Sequence, residues 1–410
     1  MFRNFILLAY RHFIRSPLIS FIELFGMTAG FTVFLLVLLW GFHETSYDDF
    51  NENKDRIYRV EWSSPANPLM AISFSTIAPI LKENMPEVEK TVRLCRRKSA
   101  HDIYRLNDQN EKEYIAAGPE LYADTDFFDI LSFEFIAGTP ATALAEKNTV
   151  VLTESLAKTI FGDISAIGQQ IFNEDNHTLT VTGVIKDRND FHISFNMIRS
   201  LISLQNIPFL GPASEDYTYT WHAFDFPTYL LLSSNQNQAA LEKKMTTVVE
   251  SNQSDGEKIE IPDLKLHLRP LSEIYLNGGN AVERGYSKRG NSRKLIAYCS
   301  IAIFTLLLAC VNFVNLNSAK SLERAKEVGI KKVSGASRGN VFIQFFGEII
   351  MLCLMSLMLA LIFTHSILPW FNDLMNTTLS TGLLLNPWVF AAKMLGLILI
   401  SLASGGDRKH

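Results

Sequence analysis

The kind of protein is decided by the stretch ISFIELFGMTAGFTVFLLVLLWGF, residues 19–42. A helix needs about 20 consecutive apolar residues to cross the hydrocarbon core of a bilayer, and this run is long enough to do so. Three further apolar runs occupy residues 294–317, 341–367 and 387–403. We therefore predict four transmembrane helices, with residues 43–293 folded between the first helix and the second.

The first apolar run is predicted to be a retained anchor and not a cleaved signal peptide. The apolar core of a signal peptide spans about 7–15 residues and precedes a cleavage site made of small residues. The run here is longer than such a core and ends in LLWGF, residues 38–42.

Residues 43–293 carry both strand and helix patterns, which predicts an α+β domain in two lobes. Residues 56–62 alternate with the two-residue period of a strand. Residues 149–153 read as a second strand, followed by a helix that starts at Glu154 and stops at Gly162. An acidic turn at residues 173–176 predicts a hairpin.

The polar residues of this domain predict no active site. The sequence has no HExxH, GxSxG, EF-hand or GxxxxGK[ST] motif, and its net charge of −4 gives no reason to expect nucleic acid as a partner. We expect surface or packed roles, and not metal ligation, for His101, His177, His192, His222 and His267. The chain is therefore predicted to be no enzyme and to bind no metal or cofactor. A membrane-bound enzyme stays a distant alternative, because spatial constellations can be hidden in a sequence.

Basic residues predict the orientation of the chain in the membrane. Lys and Arg mark the cytoplasmic ends of membrane helices. Arg3, Arg11 and Arg15 precede the first run, and residues 318–340 are rich in Lys and Arg, whereas residues 368–386 contain neither. We therefore predict that the N-terminus, residues 318–340 and the tail at residues 404–410 lie inside the cell, with the large domain outside.

Residues 1–18 are predicted to form an amphipathic helix on the inner leaflet. Apolar residues recur at helical spacing from Phe2 to Phe13, and the arginines lie off that stripe. A frayed tail is the alternative reading of this segment.

Glu348 is the intramembrane polar candidate, since it lies several residues inside the third apolar run. A carboxylate within a membrane helix is a functional candidate by default. The alternative is that Glu348 lies level with the inner headgroups and has no mechanistic role.

The segment between the second and third runs predicts a short charged helix at the inner surface. Glu327 and Lys331 are four residues apart in the favourable order for a helical ion pair. The segment is either a solvated connector or a docking element for a cytoplasmic motor. The candidate coupling residues are Glu323, Arg324, Lys326, Glu327, Val328, Gly329, Lys331, Lys332, Gly335, Ala336 and Ser337.

Several motifs closely resemble those of one transporter family. The sequences ERAKEVGIKKVSGASR (323–338) and FIQFFGE (342–348) resemble the signature of FtsX/MacB-type ABC transporter permeases. In the large domain, SYDDF (46–50), VVLTESLAK (150–158) and VTGVIKD (181–187) resemble the MacB-like periplasmic core of Bacteroidetes-type permeases.

The resemblance implies partners and a location that spacing alone does not show. It implies that residues 294–403 form an FtsX-like permease domain in a bacterial inner membrane, with residues 43–293 as a periplasmic domain. It also implies a separate cytoplasmic ABC ATPase, which binds ATP and Mg²⁺, and a second permease half or homodimer. A periplasmic or outer-membrane partner is a further expectation.

The function implied by the resemblance is that of an ABC permease subunit. ATP hydrolysis on the partner would move the periplasmic domain and so export or extract a peptide, lipoprotein or antibiotic-like substrate. The alternative is a scaffold that transmits motion without transport and regulates a periplasmic cell-wall hydrolase. Long relatives of this type continue into a second half, whereas this sequence stops at His410, so we expect it to represent the first half only. The alternative is a genuinely short form, since single-half members of the family also have four crossings.

Overall fold

The computed structural model contains two compact units, which are the sheet domain (Ser46–Asn291) and the helix unit (Met1–Thr45 with Ser292–His410). The described residues are 17–96, 102–107, 109–162, 166–174, 176–205, 216–233, 237–252, 261, 263–319, 326, 328–330, 333, 337–375, 377 and 379–382. Outside them lie most of the amphipathic helix predicted for residues 1–18, the fourth crossing at 387–403 and the tail at 404–410.

Both units are built from the following elements. Helices in the described residues are α1 (Pro17–Thr45), α2 (Ile77–Asn84), α3 (Phe127–Ile130), α4 (Pro140–Ala143), α5 (Glu154–Phe161), α6 (Gln238–Ser251), α7 (Leu271–Asn277), α8 (Ser292–Ala319) and α9 (Arg338–Met375). Strands are β1 (Ile57–Ser64), β2 (Asn67–Met70), β3 (Val88–Cys95), β4 (Asp102–Leu106), β5 (Lys112–Ala116), β6 (Glu120–Ala123), β7 (Phe135–Gly138), β8 (Thr149–Thr153), β9 (Gln170–Asn173), β10 (Thr178–Ile185), β11 (Met197–Ser200), β12 (Thr228–Leu232) and β13 (Lys265–Pro270).

Three helices in the described part of the chain are long and apolar enough to cross a bilayer. The candidate spans are Ser20–Thr45 in α1, Ser292–Leu316 in α8 and Phe346–Met375 in α9. A mixed sheet with helices lies between the first span and the second in the chain. The predicted fold class, an α+β domain inserted between the first and second membrane helices, is therefore confirmed.

In the helix unit, α1 packs against both α8 and α9. Where α1 faces α8, it carries a glycine, Gly30. A Cβ atom built at Gly30 would lie only 2.7 Å from the Cβ of Ala309, so the two helices approach closely here. Towards α9, the Thr28 hydroxyl approaches the carbonyl oxygen of Ser356 at 3.5 Å. Small residues at such seams let helix backbones approach closely, which is how helices associate where lipid removes the hydrophobic driving force.

The helix α9 extends beyond the crossing predicted at residues 341–367. It continues through Pro369 to Met375, so residues 368–375 are helical where the sequence predicted a loop at 368–386. Leu368 is buried together with Leu36 and Leu39 of α1, and this packing favours continuation of the helix. The length of an apolar run indicates which residues can lie in the hydrocarbon core, whereas tertiary packing decides where the helix ends.

We predict that Gly30→Ala lowers the stability of the helix unit. The added methyl group would overlap the Cβ of Ala309, and overpacking of this kind typically costs about 1–3 kcal/mol. The measurement is the thermal unfolding midpoint of the full chain in detergent. Gly26→Ala is the matched control, because the nearest atom to its new methyl group would be Asn312 Nδ2, at an ordinary 3.6 Å. Equal midpoints for the two variants would contradict this account of the α1–α8 seam.

The sheet domain is organised around one mixed sheet of 13 strands. Its strands follow the order β13-β1-β12-β3-β6-β11-β8-β10-β9-β4-β5, while β2 pairs with β1 and β7 with β10. At one end, the units β1-α2-β3 and β12-α6-β13 place their strands in the order β13-β1-β12-β3, in which each strand is antiparallel to its neighbours. This first lobe therefore has the split β-α-β arrangement.

The second lobe is inserted between β3 and β12 in the chain. It contains the parallel pairs β6–β11 and β8–β10 and the antiparallel hairpin β4–β5. Its helix α5 is capped by Thr153, whose hydroxyl accepts from the amide of Leu156, and is ended by Gly162 at φ +80°. The helix start and stop predicted from the sequence are thus confirmed.

Each face of the first-lobe sheet is covered by an apolar core. On one face, Val60, Trp62 and Leu230 pack with side chains of α2 and α6. On the other face, Ile57 and Leu231 pack with a phenylalanine-rich cluster that includes residues of α3 and α7. Because both faces are buried, polar side chains on either face of these strands must find partners within the protein.

Candidate functional site

The predicted coupling segment is described at four of its candidate residues. Lys326, Gly329 and Ser337 are exposed, and Val328 is half-buried. Ser337 precedes α9 directly, and its carbonyl oxygen accepts from the amide of Val341 at 3.3 Å. Outside the described residues lie Glu323, Arg324, Glu327, Lys331, Lys332, Gly335 and Ala336. The coupling role of all these residues stays a prediction.

Glu348, the predicted intramembrane candidate, lies near the beginning of the third span. That span starts at Phe346, and the Glu348 side chain is half-buried in α9. Because Glu348 lies near one end of the span, its position fits both a functional carboxylate within the membrane and a carboxylate level with the headgroups.

Glu23 is a second carboxylate in the membrane helices, and the sequence reasoning missed it. It lies inside the first span and is only 2% exposed, near the buried hydroxyl-bearing residues Ser20 and Thr28 of the same helix. The sequence alone could have identified Glu23, because an acidic residue within an apolar run is by itself a functional candidate.

The sheet domain contains a buried ionic cluster around Arg59. Arg59 and Val60 are consecutive on β1, so their side chains lie on opposite faces of the sheet and Arg59 points away from the α2–α6 core. On its own face, Arg59 is only 1% exposed. Its guanidinium donates to Glu61 Oε1 at 2.6 Å and to the Glu283 carboxylate. Arg269 on β13 donates to both oxygens of Glu61, at 2.7 and 3.0 Å. Arg289, which is partly exposed, also pairs with Glu283 at 3.4 Å, so three arginines and two carboxylates neutralise one another in this cluster.

A line of buried polar side chains runs from this cluster to the start of the domain. Tyr229 lies directly opposite Arg59 on the neighbouring strand β12, where the Arg59 charge acts on the Tyr229 phenol. The Tyr229 hydroxyl also lies 2.7 Å from His192 Nε2, and His192 Nδ1 lies 2.8 Å from Asp48 Oδ1. With a proton on Nδ1 that is donated to the carboxylate, Nε2 accepts from the phenol. We call Asp48, His192, Tyr229, Arg59 and Glu283 the buried bridge.

The electrostatics of the buried bridge favour a structural role over acid–base chemistry. Burial raises the pKa of the Tyr229 phenol, although the nearby Arg59 opposes this effect. Burial acts to lower the pKa of Arg59, but Tyr229 and the carboxylates of Glu283 and Glu61 outweigh burial and raise the pKa overall. The phenol therefore stays protonated and the guanidinium stays charged at any physiological pH. Within the described residues, no group of three or more His, Cys, Asp or Glu side chains is placed to hold a metal ion.

We predict that Arg59→Met strongly destabilises the sheet domain. It leaves Glu61 and Glu283 each short of one buried partner, and breaking a buried ion pair typically costs roughly 3–5 kcal/mol. The measurement is the unfolding midpoint of the full chain by tryptophan fluorescence, since Trp62 and Trp221 lie in the core.

Lys186→Met is the matched control for this prediction. Lys186 pairs with Glu134 at 3.1 Å with both side chains more than half exposed, so its loss is expected to cost about 0–1 kcal/mol. An Arg59→Met protein as stable as the Lys186→Met protein would show that the buried cluster contributes little.

Comparison with protein families identifies the class to which this architecture belongs. Residues 20–248 match the model of the MacB-like periplasmic core domain, and residues 299–406 match that of the FtsX-like permease C-terminal domain. A sheet domain inserted between apolar helices, with both matches on one chain, defines a membrane permease. The chain belongs to the FtsX/MacB-type ABC transporter permeases, as its motifs indicated.

Curated relatives agree with this family. The macrolide export ATP-binding/permease protein MacB of Neisseria meningitidis is 22% identical over 243 residues, which are 56% of this chain and 33% of the relative. The pyoverdine export ATP-binding/permease protein PvdT of Pseudomonas aeruginosa is 23% identical over 295 residues, which are 70% of this chain and 39% of the relative. The chain thus spans between a third and two fifths of the length of these relatives.

Two solved structures are similar to the sheet domain at low identity. A domain of a putative permease from Porphyromonas gingivalis has a TM-score of 0.43 at 21% identity, covering 54% of this chain and 92% of that domain. The periplasmic region of MacB from Actinobacillus actinomycetemcomitans has a TM-score of 0.36 at 15% identity, covering 53% of this chain and 90% of that region.

Proposed function

We propose that this chain is the permease subunit of an ABC exporter in a bacterial inner membrane. In this proposal a separate cytoplasmic ATPase binds ATP and Mg²⁺, and its cycle moves the periplasmic sheet domain to export or extract a peptide, lipoprotein or antibiotic-like substrate. The observation that carries the proposal is the presence of both family matches, the periplasmic core and the permease domain, on one chain. The export proteins named among its relatives support the same direction.

The ATPase is proposed on a partner chain because this sequence has no phosphate-binding loop of its own. Residues 1–410 contain no GxxxxGK[ST] motif, whereas the names of the relatives combine ATP-binding and permease functions. The partner would contact the segment at 318–340, where Lys326 and Gly329 are exposed.

A second permease half or a second copy of this chain is the other proposed membrane partner. The apolar faces of α8 and α9 support this proposal, because large side chains such as Phe304, Leu307, Leu354 and Met358 are more than half exposed in this one copy. Lipid would cover what the partner does not. A periplasmic or outer-membrane partner stays part of the same proposal.

We expect Gly329→Pro to abolish the coupling of the ATPase to the permease, because proline breaks a helix interior. The measurement is the ATPase activity of the complex with the ABC ATPase encoded beside the permease, after copurification in detergent. Gly329→Ala is the matched control, since no described atom lies within 4 Å of the position of its methyl group. The proposal fails if no complex forms, or if the proline and alanine variants stimulate the ATPase equally.

We expect residues 111 and 333 to face opposite sides of the membrane. Glu111 and Val333 are both exposed, so cysteines introduced there can react with a membrane-impermeant maleimide. In intact spheroplasts the cysteine at 111 should be labelled, and the cysteine at 333 should be labelled only after lysis. The reverse pattern would overturn the proposed orientation.

The hydrolase-regulating scaffold remains a distinguishable outcome. Its architecture would be the same, but cross-linking from the periplasmic domain would capture a cell-wall hydrolase and no exported solute. The relatives are named for export, so transport is the proposal that we favour.

A further inference from the structure

Two segments connect the sheet domain to the membrane helices, and both are held by the same few residues. The entry segment, residues 46–51, follows α1 in the chain, and the return segment, residues 281–290, precedes α8. The ring of Tyr47 stacks on the ring of Tyr275 of α7 with centroids 3.5 Å apart. Gly290 donates its amide to the Tyr275 carbonyl oxygen at 3.0 Å, and a Cβ atom at Gly290 would lie 2.5 Å from the same ring. Tyr275 therefore contacts both segments.

The stretch 190–193 of the inserted lobe also contacts both segments. On the entry side, the amide of Asp48 donates to the carbonyl oxygen of Asp190 at 2.8 Å. On the return side, the amide of Lys288 donates to the carbonyl oxygen of His192 at 2.6 Å, and Ile193 forms a bridge with Ser287. This short stretch thus joins the entry segment, the inserted lobe and the return segment through backbone hydrogen bonds.

The buried bridge makes the third connection between the two segments. Hydrogen bonds join Asp48 of the entry segment to His192 and His192 to Tyr229. Arg59, directly opposite Tyr229 on the neighbouring strand, binds Glu283 of the return segment. All five residues are at most 5% exposed. Asp48 adopts φ +65°, in the left-handed region that Asp and Asn enter more readily than other non-glycine residues.

We propose that the buried bridge locks the entry and return segments into one rigid body, so that the two membrane helices can displace the inserted lobe only together. His192 is the positioning residue of this lock, because its imidazole joins the entry segment to β12 while its backbone holds the return segment. A buried network of this kind resists deformation, since each broken hydrogen bond leaves an unsatisfied polar group.

The functional consequence rests on the proposed function. If ATP hydrolysis moves α1 or α8, the lock transmits that displacement to residues 190–193 and from there to the inserted lobe. If the lock is opened, either helix can move without carrying the lobe with it.

The test is hydrogen–deuterium exchange of the full chain in nanodiscs, read by mass spectrometry. Tyr229→Phe and His192→Asn each remove the bond between the phenol and the imidazole, and Asn retains a donor toward Asp48. Both variants are expected to speed exchange about tenfold, as for one lost buried hydrogen bond, in residues 46–51 and 281–290 together. The double variant should exchange no faster than either single variant, because all three lack the same bond.

Tyr104→Phe is the matched control for the loss of a buried tyrosine hydroxyl. Tyr104 is 4% exposed and donates to Asn176 Oδ1 at 2.8 Å, in the β4–β9 part of the inserted lobe. Its loss should leave the entry and return segments unchanged. The inference is overturned if one segment loosens without the other, or if the effects of the two bridge variants add. Should Tyr229→Phe not fold, His192→Asn alone carries the test of paired loosening.

A second arm separates this inference from the proposed function. With the partner ATPase, ATP, Mg²⁺ and vanadate, exchange at residues 190–193 should change in the wild-type complex and should change less in the His192→Asn complex, in which the backbone hydrogen bonds of this stretch are retained. No change in the wild type contradicts the proposed function and leaves the paired loosening standing. An identical change in both complexes overturns the lock.

Discussion

The burial of Arg59 in the middle of the sheet constrains much of what surrounds it. Strand register places Tyr229 beside it on β12 and Arg269 beside it on β13. A guanidinium shielded from water must be neutralised by carboxylates, and Glu61 supplies one from the same strand. The other, Glu283, comes from the return segment, more than 200 positions along the chain. Satisfying one buried charge therefore requires the chain to pass over β1 just before it enters α8.

In the helix unit, apolar contacts alone cannot specify which helices pack together, because lipid tails are as apolar as a neighbouring helix. The packing is specified instead by the close approach of Gly30 to Ala309 and by the polar contact of Thr28 with Ser356. The two units thus use different forces for specificity, which are charge neutralisation in the sheet domain and backbone proximity among the helices.

Local rules accounted for the features that depend on short stretches of sequence. The apolar runs, the strand at residues 149–153 and the helix from Glu154 to the stop at Gly162 follow from hydropathy and capping alone. The family followed from contiguous motifs, above all the one at residues 323–338. Glu23 could also have been found from the sequence, because it is an acidic residue inside an apolar run. The continuation of α9 past residue 367 could not, because it depends on the packing of Leu368 against α1.

By itself, the sequence determined that this protein crosses a membrane, that an α+β domain is inserted after the first crossing, and to which family it belongs. Only the tertiary structure decided that His192, which looked like one scattered histidine among several, joins Asp48 to Tyr229, and that Arg59 reaches Glu283. The reason is physical. Periodicity and capping act over a few residues, whereas the partner of a buried charge is chosen by strand order and loop route, which bring together positions that the linear chain keeps far apart.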